Sequence, residues 1–357
     1  MTLHTVMIMA GGTGGHVFPA LAVAKKLQQA GHQIVWVGTE KGIESRLVPE
    51  AAIPLKTIAV SGLRGKRLSG WLSAPFRLLK AIQQARKIIQ TTSPRLVIGF
   101  GGFVSGPGGV AAWLSSVPLL IHEQNAIPGL TNRLLSYLAK QVLTGFPNSI
   151  MHKKAIWVGN PVREAMHAQH AQHAQHDSVT PYNILVIGGS LGARKLNQLL
   201  PEALANIQQQ LPIHVQHQSG QQHYSTCQHI YQQQQVIAEV HPFIDDMAAA
   251  YQWADVVICR AGALTVAEVA AVGVAAIFIP YPYAVDDHQT HNASYLVEKG
   301  AGVLIQEAEL SVVHLADTIY TLLTDKSVRL KMASTARQLA KSNATEEIIA
   351  ICLEELI

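Results

Sequence analysis

The stretch that most limits what this chain can become is Gly11-Gly12-Thr13-Gly14-Gly15-His16. The apolar run Val6-Met7-Ile8-Met9-Ala10 leads into it, and a helix-forming run from Ala20 to Leu27 follows. An apolar run, a glycine turn and a helix former describe the first strand of a nucleotide-binding sheet handing over to its first helix. Glycine reaches backbone angles that other residues resist and lets a ligand approach the main chain. The N–H groups opening the next helix favour a phosphate. The loop is therefore expected to hold a phosphate or sugar-phosphate; the blander alternative is a tight strand-to-helix turn with no ligand.

The pattern occurs twice. Ile184-Leu185-Val186-Ile187 leads into Gly188-Gly189-Ser190-Leu191-Gly192-Ala193, 177 positions after the first loop and about half the length of the 357-residue chain. Around the first loop, strands are expected at 34–38, 96–100, 119–122, 142–144 and 156–158, with helices over Ser73–Ile89 and from Val110. Around the second, strands are expected at 213–215, 236–238, 256–259, 276–279 and 303–305. Helices are expected from the Asp245-Asp246 cap to Trp253, from Thr265, and over Gln289–Lys299, and the last ~45 residues read as helical. Repeated strand–loop–helix units imply an α/β chain of two parallel sheets, each covered by helices on both faces. Between them His167, His170, His173 and His176 recur among Ala and Gln. With no acid or cysteine beside them, they read as a low-complexity linker and not as a metal site. The domains are set at 1–162 and 163–340, with a terminal helix at about 341–357 able to pack back on the first.

Apolar residues make up 48% and charged residues 14%, enough to build two cores and against disorder. The three cysteines, Cys227, Cys259 and Cys352, lie far apart, which fits a reducing compartment. The N-terminus lacks the pattern of a signal peptide. The longest uncharged apolar stretch, Val269 to Val285, is broken by Gly273, Pro280 and Pro282 and does not read as a membrane span. The net charge of +4 conceals an asymmetry: residues 1–163 hold 18 Lys and Arg against four acids, Glu40, Glu44, Glu50 and Glu123. The first half is thus at +14 and the remainder at −10. An anionic partner, a membrane surface or a nucleic acid first, is expected for one half. Leu68, Trp71, Leu72 and Phe76 sit among Arg67 and its basic neighbours, a mix suited to anionic lipid head groups. The aromatic platforms and base-reading groups of a nucleic-acid surface are not found.

The dinucleotide fingerprint G-x-G-x-x-G fails at both loops. Val17 stands where the third glycine is due after Gly12 and Gly14, and Gly189 and Gly192 are out of step. This speaks against an NAD-dependent oxidoreductase. Thr265 to Glu268 matches a capping box; Glu268 could equally grip ribose hydroxyls at a sheet's carboxyl edge, and spacing alone leaves both open. His16 is a candidate general base or hydrogen-bond donor. Glu123-Gln124-Asn125 ends a strand, where polar residues serve ligands.

Taken in order, these motifs resemble a known family. They are Gly11 to His16 with Phe18-Pro19-Ala20, Ser61-Gly62-Leu63-Arg64-Gly65, Gly101-Gly102-Phe103-Val104-Ser105-Gly106-Pro107, His122-Glu123-Gln124-Asn125, Gly159-Asn160-Pro161-Val162-Arg163, Gly188-Gly189-Ser190 and Gly262-Ala263-Leu264-Thr265. The chain is similar to the bacterial glycosyltransferases of family 28, which add N-acetylglucosamine to undecaprenyl-pyrophosphoryl-muramyl-pentapeptide (lipid I) and yield lipid II. The resemblance implies a GT-B fold, two Rossmann-like domains separated by a deep cleft. Thr13, Gly14, Gly15 and Asn125 would contact UDP-N-acetylglucosamine from the N-terminal side. Arg163, Ser190, Ile244, Ala263, Leu264, Thr265, Val266, Ala267, Glu268 and Gln289 would do so from the C-terminal side. It favours ribose for Glu268 and uracil for the Ile244 backbone. The family often has a Gln-Gln pair where this chain has His288-Gln289. The implied reaction is inverting: the acceptor's 4-hydroxyl attacks the anomeric carbon and UDP leaves. His16 is the first choice of base and Glu123 its rival. No Asp-x-Asp pair is present, so no metal or other cofactor is expected. The implied location is the cytoplasmic face of the inner membrane, as a peripheral protein near the division and elongation machinery. A sugar-nucleotide epimerase of the same fold is the alternative.

Overall fold

Short apolar runs, buried on both sides, form the centres of two parallel sheets. In the computed structural model the chain is described over residues 3–60, 74–167, 181–189 and 192–357. It divides into two units, Met1–Arg163 with Lys341–Ile357, and Glu164–Ala340.

The first unit contains β1 (Thr5–Met9), β2 (Gln33–Gly38), β3 (Leu55–Thr57), β4 (Leu96–Gly99), β5 (Leu119–Glu123), β6 (Gln141–Thr144) and β7 (Ala155–Trp157). Their order in the sheet is β3-β2-β1-β4-β5-β6-β7, with every pair parallel. The second unit contains β8 (Tyr182–Ile187), β9 (Ile213–Gln218), β10 (Ala238–His241), β11 (Val256–Cys259), β12 (Ala275–Phe278) and β13 (Val303–Leu304). The order is β10-β9-β8-β11-β12-β13, again all parallel. Both are doubly wound sheets, as the strand–loop–helix repeats lead one to expect. In each, the strand order reverses beside the first strand, between β1 and β4 and between β8 and β11. Loops leaving the carboxyl ends of those strands therefore diverge around a crevice, the usual ligand position in open α/β sheets. All four are the glycine-bearing segments singled out in the sequence.

The first core is built from buried apolar side chains. Val6, Met7, Ile8 and Met9 of β1 and Leu96, Val97 and Ile98 of β4 are all buried. Trp36 is fully buried, and its indole N–H donates to the Ala10 carbonyl at 2.9 Å, so the largest side chain also ties down the entry to the glycine loop. The terminal helix Ala344–Glu354 adds Ile348 and Cys352 to this core.

Three local expectations need correction. The helix expected from Val110 begins at Ser105 and runs to Leu114. Pro107 falls in its first turn, where no intrahelical N–H is needed. Gly108 and Gly109 are tolerated for packing: a Cβ would meet Met9 Sδ at 2.1 Å and Leu135 Cδ2 at 2.7 Å. The strand expected at 236–238 is Ala238–His241. Gln235 turns left-handed (φ 55°), and the Val236 N–H closes the preceding helix on the Tyr231 carbonyl at 3.1 Å. The helix expected from Thr265 begins at Ala263 with Gly262 as its cap, so Thr265 and Glu268 form no capping box.

Gly102 has φ +78°, and a Cβ there would lie 2.2 Å from the Gly11 carbonyl oxygen, a backbone atom that cannot swing aside. Gly102→Ala is expected to destabilise the first unit by about 2–4 kcal/mol, from the overpacking and the left-handed backbone together. A denaturant midpoint equal to that of the unaltered chain would contradict this packing.

Candidate functional site

The first unit gathers its polar side chains at the switch point. The glycine loop leaves β1 and enters the helix Gly14–Gln29, with Gly12 at φ +97°. Glu44, fully buried, clasps the loop from below. One carboxylate oxygen accepts from the Gly12 N–H at 3.0 Å. The other accepts from the Thr39 N–H at 2.8 Å and hydroxyl at 2.7 Å. Gly11, Gly38 and Gly42 leave room for it; a Cβ at any of them would meet this carboxylate chain within 2.7 Å. The Gly12 N–H is thus engaged inside the protein and is not offered to a phosphate. What the loop presents outward is the opening turn at Thr13, Gly14 and Gly15.

His16 is half-buried on that turn. Its Nδ1 lies 3.0 Å from Gln124 Oε1. Gly101, at φ +96°, is glycine for a steric reason here, since a Cβ would stand 2.8 Å from His16 Nδ1. Glu123, 2% exposed, is enclosed by donors. The Asn125 N–H and side-chain amide reach one oxygen at 2.9 and 3.2 Å. The Gly129 N–H and the Asn132 amide reach the other at 3.1 and 2.9 Å. It thereby shapes the 123–132 loop and holds Asn125. His122 is buried beside Phe100, and its Nε2 lies 2.9 Å from the Gly159 carbonyl. Burial drives its pKa down to about 4; the bond to Gly159 works against that fall and the neighbouring His16 adds to it. Arg163, expected from the C-terminal side, belongs to the first unit, with its guanidinium over the Phe18 ring at 5.8 Å.

The second unit carries its own set of polar groups. Gly188 donates to the Gln218 carbonyl at 3.0 Å, and Gly189 turns at φ +81°. Ser190 lies outside the described residues. The Ile244 N–H donates to Gln218 Oε1 at 3.0 Å. The helix Ala263–Val272 opens directly after β11, so the N–H groups of Ala263, Leu264 and Thr265 form its first turn. The Val266 N–H already returns to the Gly262 carbonyl at 3.0 Å, and its side chain is core. Val266 can therefore line a site only through its backbone. Ala267 and Glu268 are half-buried on the same helix. Glu268 accepts from the Tyr251 hydroxyl at 3.3 Å. Gln289, also half-buried, accepts from the Tyr281 N–H at 2.9 Å through Oε1, which turns its NH2 group outward. The residues before it, Asp286 and Asp287, both adopt left-handed backbone, φ 52° and 49°. Two such residues in succession store strain, a feature that concentrates at ligand sites. His288 Nδ1 lies 2.8 Å from the Val285 carbonyl and serves that turn.

This arrangement now has relatives to compare. Residues 6–144 match the glycosyltransferase family 28 N-terminal domain, and residues 183–348 match the glycosyltransferase family 28 C-terminal domain. The chain belongs to glycosyltransferase family 28. A family 28 relative from Alkalilimnicola ehrlichii is 52% identical over 352 residues, 98% of each chain. One from Pseudomonas putida is 51% identical over 350 residues, 98% of this chain and 97% of the other. Both are named UDP-N-acetylglucosamine–N-acetylmuramyl-(pentapeptide) pyrophosphoryl-undecaprenol N-acetylglucosamine transferase. Among solved structures, Acinetobacter baumannii MurG matches with a TM-score of 0.84 at 44% identity, covering 98% of this chain and 99% of that one. A UDP-N-acetylglucosamine 2-epimerase from Listeria monocytogenes matches at 14% identity and a TM-score of 0.71, which shows a shared GT-B fold and no more.

Sequence reading missed three polar residues at this site: Glu44, His122 and Gln124 in their observed roles. His122 and Gln124 stand two apart at a strand end, and that period places both on one side of the sheet. Glu44 gave no such signal, because the three glycines that admit it are scattered through the sequence.

Two interior imidazoles make stability depend on pH. Burial lowers His122 to about 4 and His217 to about 3 from an unfolded value of 6.5. Each ring takes a proton less readily folded than unfolded. Its contribution is whole above pH 6.5 and is lost as pH falls toward the folded value, on the order of 3–5 kcal/mol per ring. Denaturant midpoints should hold between pH 7.5 and 6.5 and fall from there to pH 4.5, less steeply for His217→Gln. A flat profile would contradict neutral buried rings.

Proposed function

We propose that the chain transfers N-acetylglucosamine from UDP-N-acetylglucosamine to the 4-hydroxyl of the muramyl sugar in undecaprenyl-pyrophosphoryl-muramyl-pentapeptide, with inversion, as a step of peptidoglycan synthesis. The observation that carries this is 52% identity over 98% of both chains to a transferase of that name, with both family 28 domains in place. The donor's nucleotide is assigned to the second unit. The first-turn N–H groups of Ala263, Leu264 and Thr265 meet the diphosphate, and a helix N-terminus favours that charge. Glu268 takes the ribose hydroxyls and the Gln289 amide takes the sugar. Because the Ile244 N–H is engaged by Gln218, uracil recognition there falls to the Ile244 carbonyl. Ser190, Thr13, Gly14, Gly15, Asn125 and Arg163 remain proposed contacts of UDP-N-acetylglucosamine.

His16 is the proposed base. It is half-exposed on the loop, whereas Glu123 already accepts four hydrogen bonds in the interior. The acceptor O–H bond breaks toward His16 while that oxygen bonds to the anomeric carbon. The bond from that carbon to the diphosphate breaks, and UDP carries the electrons away. Helix N-terminal dipoles stabilise the leaving charge.

The first unit is also the proposed membrane face. Among the described residues no helix is long and apolar enough to cross a bilayer. The helix Ala74–Thr92 exposes Phe76 (77%) and Leu79 (57%) beside exposed Arg77 and Lys80. Leu68, Trp71, Leu72 and Arg67 lie outside the described residues. Apolar side chains ringed by cations suit the surface of an anionic bilayer, the cytoplasmic face where the acceptor and the division and elongation machinery are found.

Incubation with UDP-N-acetylglucosamine and lipid I should release UDP and give a disaccharide product. Conversion of the donor without acceptor would favour the epimerase reading instead. His16→Ala should lower turnover by about 10²- to 10⁴-fold, with donor affinity nearly unchanged. Unaltered turnover would remove His16 from the base role. Phe76→Asp should weaken binding to phosphatidylglycerol vesicles while leaving donor binding intact; equal vesicle binding would move the membrane face elsewhere.

A further inference from the structure

From His16 into the interior of the first unit runs a chain of three hydrogen bonds, and its inner end is chemically fixed. The Gly159 carbonyl can only accept, so His122, 2.9 Å away through Nε2, must carry its proton there. His122 is buried and kept neutral by that burial, so its Nδ1 bears a lone pair. The Gln124 side-chain nitrogen lies 3.1 Å from that Nδ1. The same nitrogen lies 3.3 Å from the His122 carbonyl oxygen, again an acceptor only. Two acceptors on one side fix which end of the amide is nitrogen. The other end, Oε1, faces His16 Nδ1 at 3.0 Å. An amide oxygen only accepts, so the His16 proton sits on Nδ1.

We infer that Gln124, backed by His122 and the Gly159 carbonyl, is a positioning residue that holds His16 as its Nδ1–H tautomer and leaves Nε2 as the atom that receives the acceptor's proton. The inference rests on His16 being the base, and it adds which atom acts and what sets it. Neutral histidine in water prefers the opposite tautomer, with its proton on Nε2, so an unsupported ring would mostly present a donor where a base is needed. Gln124 is itself immobilised: it is 1% exposed, and its main-chain carbonyl accepts from the Asn160 amide at 3.0 Å. The absence of a Cβ at Gly101 lets the ring lie in this orientation. The partner's neutrality also matters. A carboxylate at this position would hold the imidazolium as well as orient the ring. An amide selects the tautomer while adding no charge. During transfer the hydroxyl proton moves to Nε2, and the Nδ1–H bond to Gln124 persists through the imidazolium state. The ring then returns its proton to water.

The test is nitrogen NMR of the full chain labelled with ¹⁵N-histidine, above the pH at which His16 titrates, with the His16 signals assigned by their loss in His16→Ala. The expected spectrum shows a protonated Nδ1 and an unprotonated Nε2. Gln124→Leu should shift the ring toward Nε2–H and lower kcat about 10- to 100-fold, with KM for UDP-N-acetylglucosamine within about twofold. Gln124→Glu keeps an acceptor toward Nδ1 but adds a charge that holds the imidazolium, so it should keep Nδ1 protonated while lowering kcat at neutral pH, with kcat recovering as pH rises. A native spectrum with Nε2–H, or a Gln124→Leu spectrum unchanged from native, would overturn the inference; the native spectrum needs no variant to fold. Full turnover in His16→Ala would overturn the base role and with it the relay's catalytic meaning, whatever the spectrum shows.

Discussion

Much of the first unit depends on one contact without side chains: Gly102 laid against the Gly11 carbonyl. β1 and β4 are hydrogen-bonded neighbours, so their outgoing loops start one strand spacing apart, about 4.8 Å. Two loops that leave so close together can diverge around a crevice only if neither carries a side chain toward the other. Gly101 and Gly102 satisfy this from one side and Gly11 from the other. In the second unit a similar contact lies beside the switch point, between the loops after β8 and β9, where a Cβ at Gly192 would stand 2.3 Å from the Ser219 carbonyl oxygen. The catalytic ring proposed here is an outcome of the same geometry, because His16 rests against the bare backbone of Gly101.

Charge burial follows from that crowding and alters the surface. Of the four acids in residues 1–163, Glu44 and Glu123 are interior and are satisfied by N–H donors from the main chain and from side-chain amides. Glu50 is spent on Arg46, 3.6 Å away on the same helix. The remaining acid of the segment, Glu40, is exposed, one residue against its many cations. The +14 of residues 1–163 is the source of the positive field that an approaching anionic surface would feel. The returning C-terminal helix offsets a little of it through the Lys140–Glu355 pair.

The fold was legible because β1, β4, β8 and β11 are short, mostly apolar runs that reach a glycine at their end or within three residues of it, and tertiary packing had no reason to override that pattern. Boundaries were harder where a glycine served packing and not a turn. Gly108 and Gly109 looked like a loop, yet they sit inside a helix because Met9 and Leu135 press on them. Thr265 and Glu268 fitted a capping box, yet Gly262 is the cap, because β11 ends early enough for the helix to begin at Ala263. Site residues followed the same division. His16 and the Ala263–Glu268 run stood out by spacing, whereas Glu44 is tied to the loop by contacts 32 positions away that no local pattern encodes.

Those contacts divide the work between the two glycine-bearing loops. Both follow the first strand of a doubly wound sheet, and by pattern alone either could cradle a diphosphate. In the first unit, a buried carboxylate already occupies the Gly12 N–H. A second anion there would face uncompensated repulsion across a medium that screens poorly. In the second unit the switch point instead presents the open first turn of a helix, with no carboxylate turned into it among the described contacts. The first loop thus gives a main-chain N–H to a buried glutamate, whereas the helix after β11 keeps its first turn open, and the proposed place of the diphosphate in the second unit rests on that difference.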